Sequence, residues 1–147
     1  MIDGPHILFV DDEAAHATML TGMLETVLDA RVEVVTSVRE AIERIQEDAV
    51  DLVITDVFLP LGDAPREVFG PRARRYASTL EHLGGLVLLD ELDRMSSPPR
   101  VLAHTACTEH AVFEALGPRI AGRVHKPASA EQMLCCVLEA LGLPVPG

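Results

Sequence analysis

Several apolar runs in this chain end abruptly on polar residues whose types could do chemistry. "HILFVDDE" closes on Asp11, Asp12 and Glu13, and "DLVITDVFLP" carries Asp56 directly after Leu52, Val53, Ile54 and Thr55. Two later runs, "RVLAHT" and "AGRVHK", finish at Thr105 and Lys126. Carboxylates gathered in one place repel each other, so such a set calls for a hard divalent cation with oxygen ligands, and Mg²⁺ fits. A hydroxyl and an ammonium beside those carboxylates suit an anion held next to the ion, for which a phosphoryl group is the natural candidate. Lys126 stands out because it is the single lysine among eleven arginines. A compact point charge on a flexible stem reaches a phosphoryl group in a way that a planar guanidinium does not duplicate.

Taken singly, each residue has a plainer reading. Asp11 and Asp12 serve as a helix cap, Thr105 is a strand-end hydroxyl, and Lys126 is a solvated charge. The spacing of His104, Cys107 and His110 matches no zinc pattern, so these read as packing or exposed residues. Cys135 and Cys136, adjacent in an apolar helical stretch, read as packing residues.

The elements that must position the polar set follow from periodicity. Short buried runs alternate with stretches of helical spacing: "HILFV", then apolar residues from Met19 to Leu28; "VEVVT", then "VREAIERIQED"; "DLVITD", then, after a long polar interval, "GLVLLDELDRM"; "RVLAHT", then "TEHAVFEAL"; "AGRVH", then "AEQMLCCVLEAL". Ser37 with Glu40, and Ser129 with Gln132, are capping-box signatures. Five βα units in series predict an α/β fold with a parallel sheet covered by helices on both faces. In such sheets functional groups collect at the carboxyl ends of the strands, which places all five polar residues on one rim.

At 147 residues, with 48% hydrophobic and 24% charged residues, the expectation is one domain over residues 1–147. No apolar run approaches the roughly 18 to 20 residues that cross a bilayer, and the first residues lack a basic signal segment, so a cytoplasmic location is expected. A net charge of −11 argues against direct nucleic-acid binding. Three cysteines without a C-x-x-C pair indicate neither a disulfide framework nor a structural zinc site.

From His6 to Leu141 the chain resembles a response-regulator receiver domain, of the single-domain chemotaxis kind, through "VDDE", "VITDVFLP", "AHTA" and "VHKPAS" in this order. The resemblance implies a flavodoxin-like doubly wound sheet of order 2-1-3-4-5, the order for which the chemotaxis receiver is the standard example. It implies that Asp56 accepts a phosphoryl group from a phosphohistidine on a histidine kinase or phosphotransfer protein. Asp12, Asp56 and the carbonyl of Phe58 would ligate Mg²⁺, with Asp11 acting through water. Thr105 and Lys126 would contact the phosphoryl oxygens, and the Lys126–Pro127 bond would be cis. The protein would then be a phosphoacceptor that promotes its own phosphorylation and slow dephosphorylation, acting on a downstream protein or self-associating through the fourth predicted helix, the fifth strand and the fifth helix.

Three positions depart from the family pattern. Arg123 stands where an aromatic residue commonly couples to the threonine, and burying a guanidinium in its place is costly. Phe58 and Cys107, two residues beyond Asp56 and Thr105, offer no group to align water. An insertion at about 61–84 separates Pro60 from Gly85, and its "PRARRYASTLEHL" reads as a short helix with Pro71 at its first turn, ended by Gly84-Gly85. A rival to the phosphorylation switch is a receiver-like scaffold or adaptor that binds its partner independently of phosphorylation. A hydrolase with an aspartyl intermediate would require Asp-x-Asp at the end of the first strand, which Asp11-Asp12-Glu13 does not supply.

Overall fold

The computed structural model describes residues 4–57, 59, 84–106, 113–114 and 116–144. Their elements are β1 His6–Val10, α1 Ala14–Leu28, β2 Arg31–Val35, α2 Val38–Glu47, β3 Leu52–Thr55, α3 Gly84–Asp93, β4 Arg100–Thr105, β5 Ile120–His125 and α4 Ala130–Leu141. Phe113, Glu114 and Leu116 of the predicted "TEHAVFEAL" helix are helical, and a 3₁₀ turn, Gly117–Arg119, leads into β5. All strand pairs are parallel, and the order is β2-β1-β3-β4-β5.

Strand alternation divides the core into two layers. Ile7 and Phe9 of β1, with Leu52, Ile54, Leu102 and Val124, pack against Leu20 and Leu24 of α1 and Met133 and Val137 of α4. Leu8 and Val10, with Val53, Val101 and Ala103, pack against Val38, Ala41 and Ile45 of α2 and Leu86, Leu88, Leu89 and Leu92 of α3. Both faces of β1 and β3 are therefore buried, which is why their sequences read as continuous apolar runs. Truncating a wholly buried residue such as Leu8 to Ala would cost about 2–5 kcal/mol.

The helix ends largely follow the sequence signals. Ser129 accepts from Gln132 N while the Gln132 side chain accepts from Ser129 N, a complete capping box. At Ser37 only half of the box forms: its hydroxyl accepts from Glu40 N at 3.2 Å, but the Glu40 carboxylate accepts instead from the Thr36 hydroxyl at 3.1 Å. α4 stops at Gly142, which takes the left-handed φ of 72° that favours glycine. Gly84 and Gly85 open α3, whereas the sequence suggested them as the end of a preceding helix. The rest of that suggested helix, and the 61–83 segment with it, lies outside the described residues. No helix among the described residues is long and apolar enough to cross a membrane.

Candidate functional site

The strand register builds the site directly. Val10 pairs with Thr55, so the next residues, Asp11 and Asp56, emerge side by side, and the ladder runs one step further through Asp11 N to Val35 O at 3.0 Å and Asp56 N to Val10 O at 3.2 Å. On the far side Thr105 pairs with His125, and the next residue, Lys126, donates its backbone N–H to Thr105 O at 3.0 Å. Residues far apart in sequence thus share one rim at the carboxyl ends of β1, β3, β4 and β5.

Lys126 joins the two halves. Its Nζ donates to Asp11 Oδ2 and to Asp56 Oδ2, both at 2.7 Å, and both carboxylates are almost wholly buried. Burial alone would lower the Lys126 ammonium, but its bonds to Asp11 and Asp56 outweigh that and hold it above the ordinary lysine value. Asp12 lies on the exposed side of the cluster. Partial desolvation first, then the charge of Asp11, push its carboxyl above the ordinary aspartate range, with Asp56 and Glu13 adding to the effect against one backbone hydrogen bond. Carboxylate oxygens of Asp11, Asp12 and Asp56 all lie within 4.8 Å of one another. At about 4 Å near a surface, each like-charge pair costs roughly 4 kcal/mol. One ammonium among three carboxylates leaves a formal charge of −2, the complement of a divalent cation, and the donors are oxygen only.

The helix-cap reading holds in part. Asp11 Oδ1 accepts from Glu13 N at 2.9 Å at the start of α1, while the α1 N-cap, Glu13, makes no side-chain capping bond. Thr105 is buried at the end of β4, and the Lys126–Pro127 peptide bond is cis. Phe58, Cys107 and His110 lie outside the described residues. His104 packs edge-on to Phe9, with ring centroids 5.7 Å apart, as the packing reading expects. Cys135 and Cys136 are free thiols, half buried on α4, and burial pushes the Cys136 thiol up. Arg123 is exposed on β5, with its guanidinium 4.3 Å from the Phe113 ring centroid, a cation–π contact worth about 0.5–1 kcal/mol at an exposed site.

Two contacts at this rim had no clear sequence signal. The Thr55 hydroxyl donates to Asp56 O at 3.0 Å. Gly85 N donates to Val57 O at 3.1 Å, bringing the first turn of α3 onto the segment that follows Asp56; the doubled glycine before an apolar helical run was the only hint of it.

The comparisons with known proteins bear on the fold and on the first part of the chain. The family model described as the response regulator receiver domain matches residues 7–64, a stretch holding Asp11, Asp12 and Asp56 but neither Thr105 nor Lys126. None of the curated proteins matches the sequence. Among solved structures, the chain is similar to the chemotaxis response regulator CheY4 of Vibrio cholerae, with a TM-score of 0.70 and 22% identity over 94% of this chain and 99% of that one. It is also similar to a CheY-like response regulator receiver domain protein from Methanospirillum hungatei JF-1, with a TM-score of 0.73 and 19% identity over 94% of each chain. A third similar structure is the signal receiver domain of an HD domain-containing protein from Pseudomonas fluorescens Pf-5, with a TM-score of 0.73 and 17% identity over 97% of this chain and 90% of that one. The fold is that of the receiver structures it resembles, and residues 7–64 carry the sequence pattern of the response regulator receiver domain.

Proposed function

We propose that this chain is a cytoplasmic response regulator that takes a phosphoryl group from a phosphohistidine onto Asp56 in a Mg²⁺-dependent reaction and signals through a changed surface. The observation that carries this reading is the Lys126 ammonium bridging Asp11 and Asp56, with Asp12 at the open side of the same cluster. Asp11, Asp12 and Asp56 would hold the ion, with the Phe58 carbonyl as a further ligand. When bound, Mg²⁺ supplies charge neutralisation to the incoming phosphoryl group.

Asp56 is the nucleophile. A new P–O bond to one of its carboxylate oxygens forms as the P–N bond to the donor histidine breaks, and the imidazole nitrogen keeps the electron pair. Lys126, already hydrogen-bonded to Asp56, would contact the incoming phosphoryl oxygens and offset the charge that builds as that carboxylate is modified. Thr105, tied to Lys126 through the backbone, supplies a hydroxyl on the same side. The phosphorylated state then favours the arrangement in which Thr105 and Lys126 close on the phosphoryl group, and a partner reads the difference. The donor is a histidine kinase or phosphotransfer protein. The output is a downstream protein, or a second copy bound through the face made by residues 108–116, β5 and α4.

The scaffold reading draws its support from Arg123. A guanidinium stacked on Phe113 at the protein surface is a poor substitute for a ring that swings into the core, so the switch would have to run without that movement. Incubation with Mg²⁺ and a small phosphodonor, read by intact mass, decides between the two. One added phosphoryl group, absent in Asp56→Asn, is the expected result; an unmodified parent chain would leave the scaffold.

A further inference from the structure

The first two residues of α3 are glycines, and both are buried. Glycine is among the poorest helix formers, so two in a row at a buried helix start call for a reason in the space around them. The neighbours of the two positions differ. A Cβ on Gly84 would lie 2.6 Å from Leu59 O, 2.9 Å from Val38 Cγ2 and 3.0 Å from Leu59 Cβ, all atoms of the loop stem and core. A Cβ on Gly85 would lie 2.6 Å from Asp56 O, 2.7 Å from Val57 Cα and 3.1 Å from Val57 O. Those are backbone atoms of the phosphoacceptor segment, which cannot turn aside as the end of a flexible side chain can.

Hydrogen bonds hold the same segment in place. Gly85 N donates to Val57 O at 3.1 Å, the Thr55 hydroxyl donates to Asp56 O at 3.0 Å, and Asp56 N donates to Val10 O at 3.2 Å. We infer that Gly85 is a positioning residue for Asp56: the bare backbone of the first turn of α3 is the stop against which the Asp56–Val57 peptide rests, and it sets where the Asp56 carboxylate stands relative to Asp11, Asp12 and Lys126. This inference rests on Asp56 being the phosphoacceptor and a Mg²⁺ ligand. Relief of a 2.6 Å contact to the 3.4 Å of ordinary packing requires the peptide to move, and the carboxylate moves with it. Displacements approaching 1 Å are large for a reacting group, since misplacement on that scale can cost about 100-fold in rate.

The paired glycines provide the control. Gly85→Ala and Gly84→Ala add the same methyl group one residue apart, each against a backbone oxygen, but only the first presses on Asp56. In the full chain, thermal unfolding, Mg²⁺ titration followed by calorimetry, and small-donor phosphorylation followed by intact mass separate the roles, with binding measured well below both melting temperatures. Both variants should melt earlier than the parent. Gly85→Ala alone should weaken Mg²⁺ binding by roughly tenfold or more, as changes to the shell that orients ligands do, and slow phosphoryl uptake. Gly84→Ala should keep the parent's Mg²⁺ affinity to within about twofold. Equal affinity in Gly85→Ala and the parent, or equal losses in both variants, would overturn the inference. A parent that takes neither Mg²⁺ nor a phosphoryl group would instead overturn the function on which it rests. If Gly85→Ala does not fold, Thr55→Val takes its place, because it releases the Asp56 carbonyl from its other side without adding bulk. It should also weaken Mg²⁺ binding, and parent-like affinity there would count against a positioned carbonyl.

Discussion

At the scale of single residues, the rim joins two opposed electrostatic demands. Lys126 satisfies Asp11 and Asp56, which are buried and would be expensive to leave unpaired, while Asp12 faces them from the exposed side with its carboxyl pushed up. Removing the Asp12 charge therefore has two consequences of opposite sign. Asp12→Ala should melt at a higher temperature than the parent in metal-free buffer, because like-charge repulsion is relieved. It should also lose the Mg²⁺ binding that the parent is expected to show at roughly millimolar concentrations or below. Calorimetric titration and a thermal melt on the same samples check both, and equal Mg²⁺ affinity in the two proteins would refute the ligand assignment. A second residue-scale expectation concerns Phe58 and Cys107, which carry no group able to align water. The phosphorylated parent should decay severalfold more slowly than a Phe58→Asn variant that offers water a polar partner. Equal decay, followed by intact mass, would refute the water-access argument.

Elements show why most of the site was legible in the sequence and what was not. Strand ends could be read from where apolar runs stopped, and parallel register then brings Asp11, Asp56, Thr105 and Lys126 to one rim. Ser129 and Gln132 announced the start of α4, because both halves of that capping box depend on residues three apart. Contacts between distant segments gave no such pattern. The Gly85 approach to Asp56 depends on how α3 meets β3. The opposite rim is another example. His6 opens an apolar strand, yet its ring Nδ1 donates to Ala49 O at 2.8 Å and its Nε2 lies 2.8 Å from Glu33 Oε1. Glu33 also pairs with Arg44 at 2.6 Å and Arg31 at 3.1 Å, joining β1, β2 and the end of α2. Burial raises the Glu33 carboxyl, but the bonds from His6 and Arg44 outweigh it, so the folded value lies below the ordinary 4.5. A lowered folded value means stabilisation that is present above the unfolded value and lost as pH falls through the folded one. Glu33→Gln should therefore cost about 1.5–3 kcal/mol at neutral pH, the range for hydrogen bonds to charged groups, with the deficit shrinking below pH 4.5. Urea unfolding across that range checks it, and a pH-independent deficit would contradict the linkage. Mg²⁺ binding at the other rim should be unaffected.

For the whole molecule, the largest departure expected from the receiver pattern is the insertion at about 61–84, and the described residues that flank it constrain what it can do. Leu59 O accepts from Gly84 N at 2.9 Å, so the two residues that flank the 60–83 segment are joined in one closed stem beside Asp56. A closed stem tolerates changes in the length of what it carries, because loop-closure entropy grows only slowly with length. The segment holds Arg72, Arg74, Arg75 and the chain's single tyrosine, Tyr76, within a protein of net charge −11. That local contrast suits docking to an acidic partner, such as a helical domain of a kinase or a second copy of this chain. The expectation is that the insertion governs partner choice and is dispensable for phosphoryl chemistry. Replacing Leu61 to Leu83 by a short glycine-containing loop should lower the melting temperature by no more than about 3 °C, roughly what 1 kcal/mol costs a domain of this size. Small-donor phosphorylation should persist at the parent rate, while transfer across a panel of histidine kinases should weaken for the partner that phosphorylates the parent best. Unchanged kinase transfer would reduce the segment to a surface decoration. A larger loss of stability together with failed small-donor phosphorylation would show that α3, whose residues from Gly84 through Asp90 are all buried, depends on this segment to hold Gly85 against Asp56.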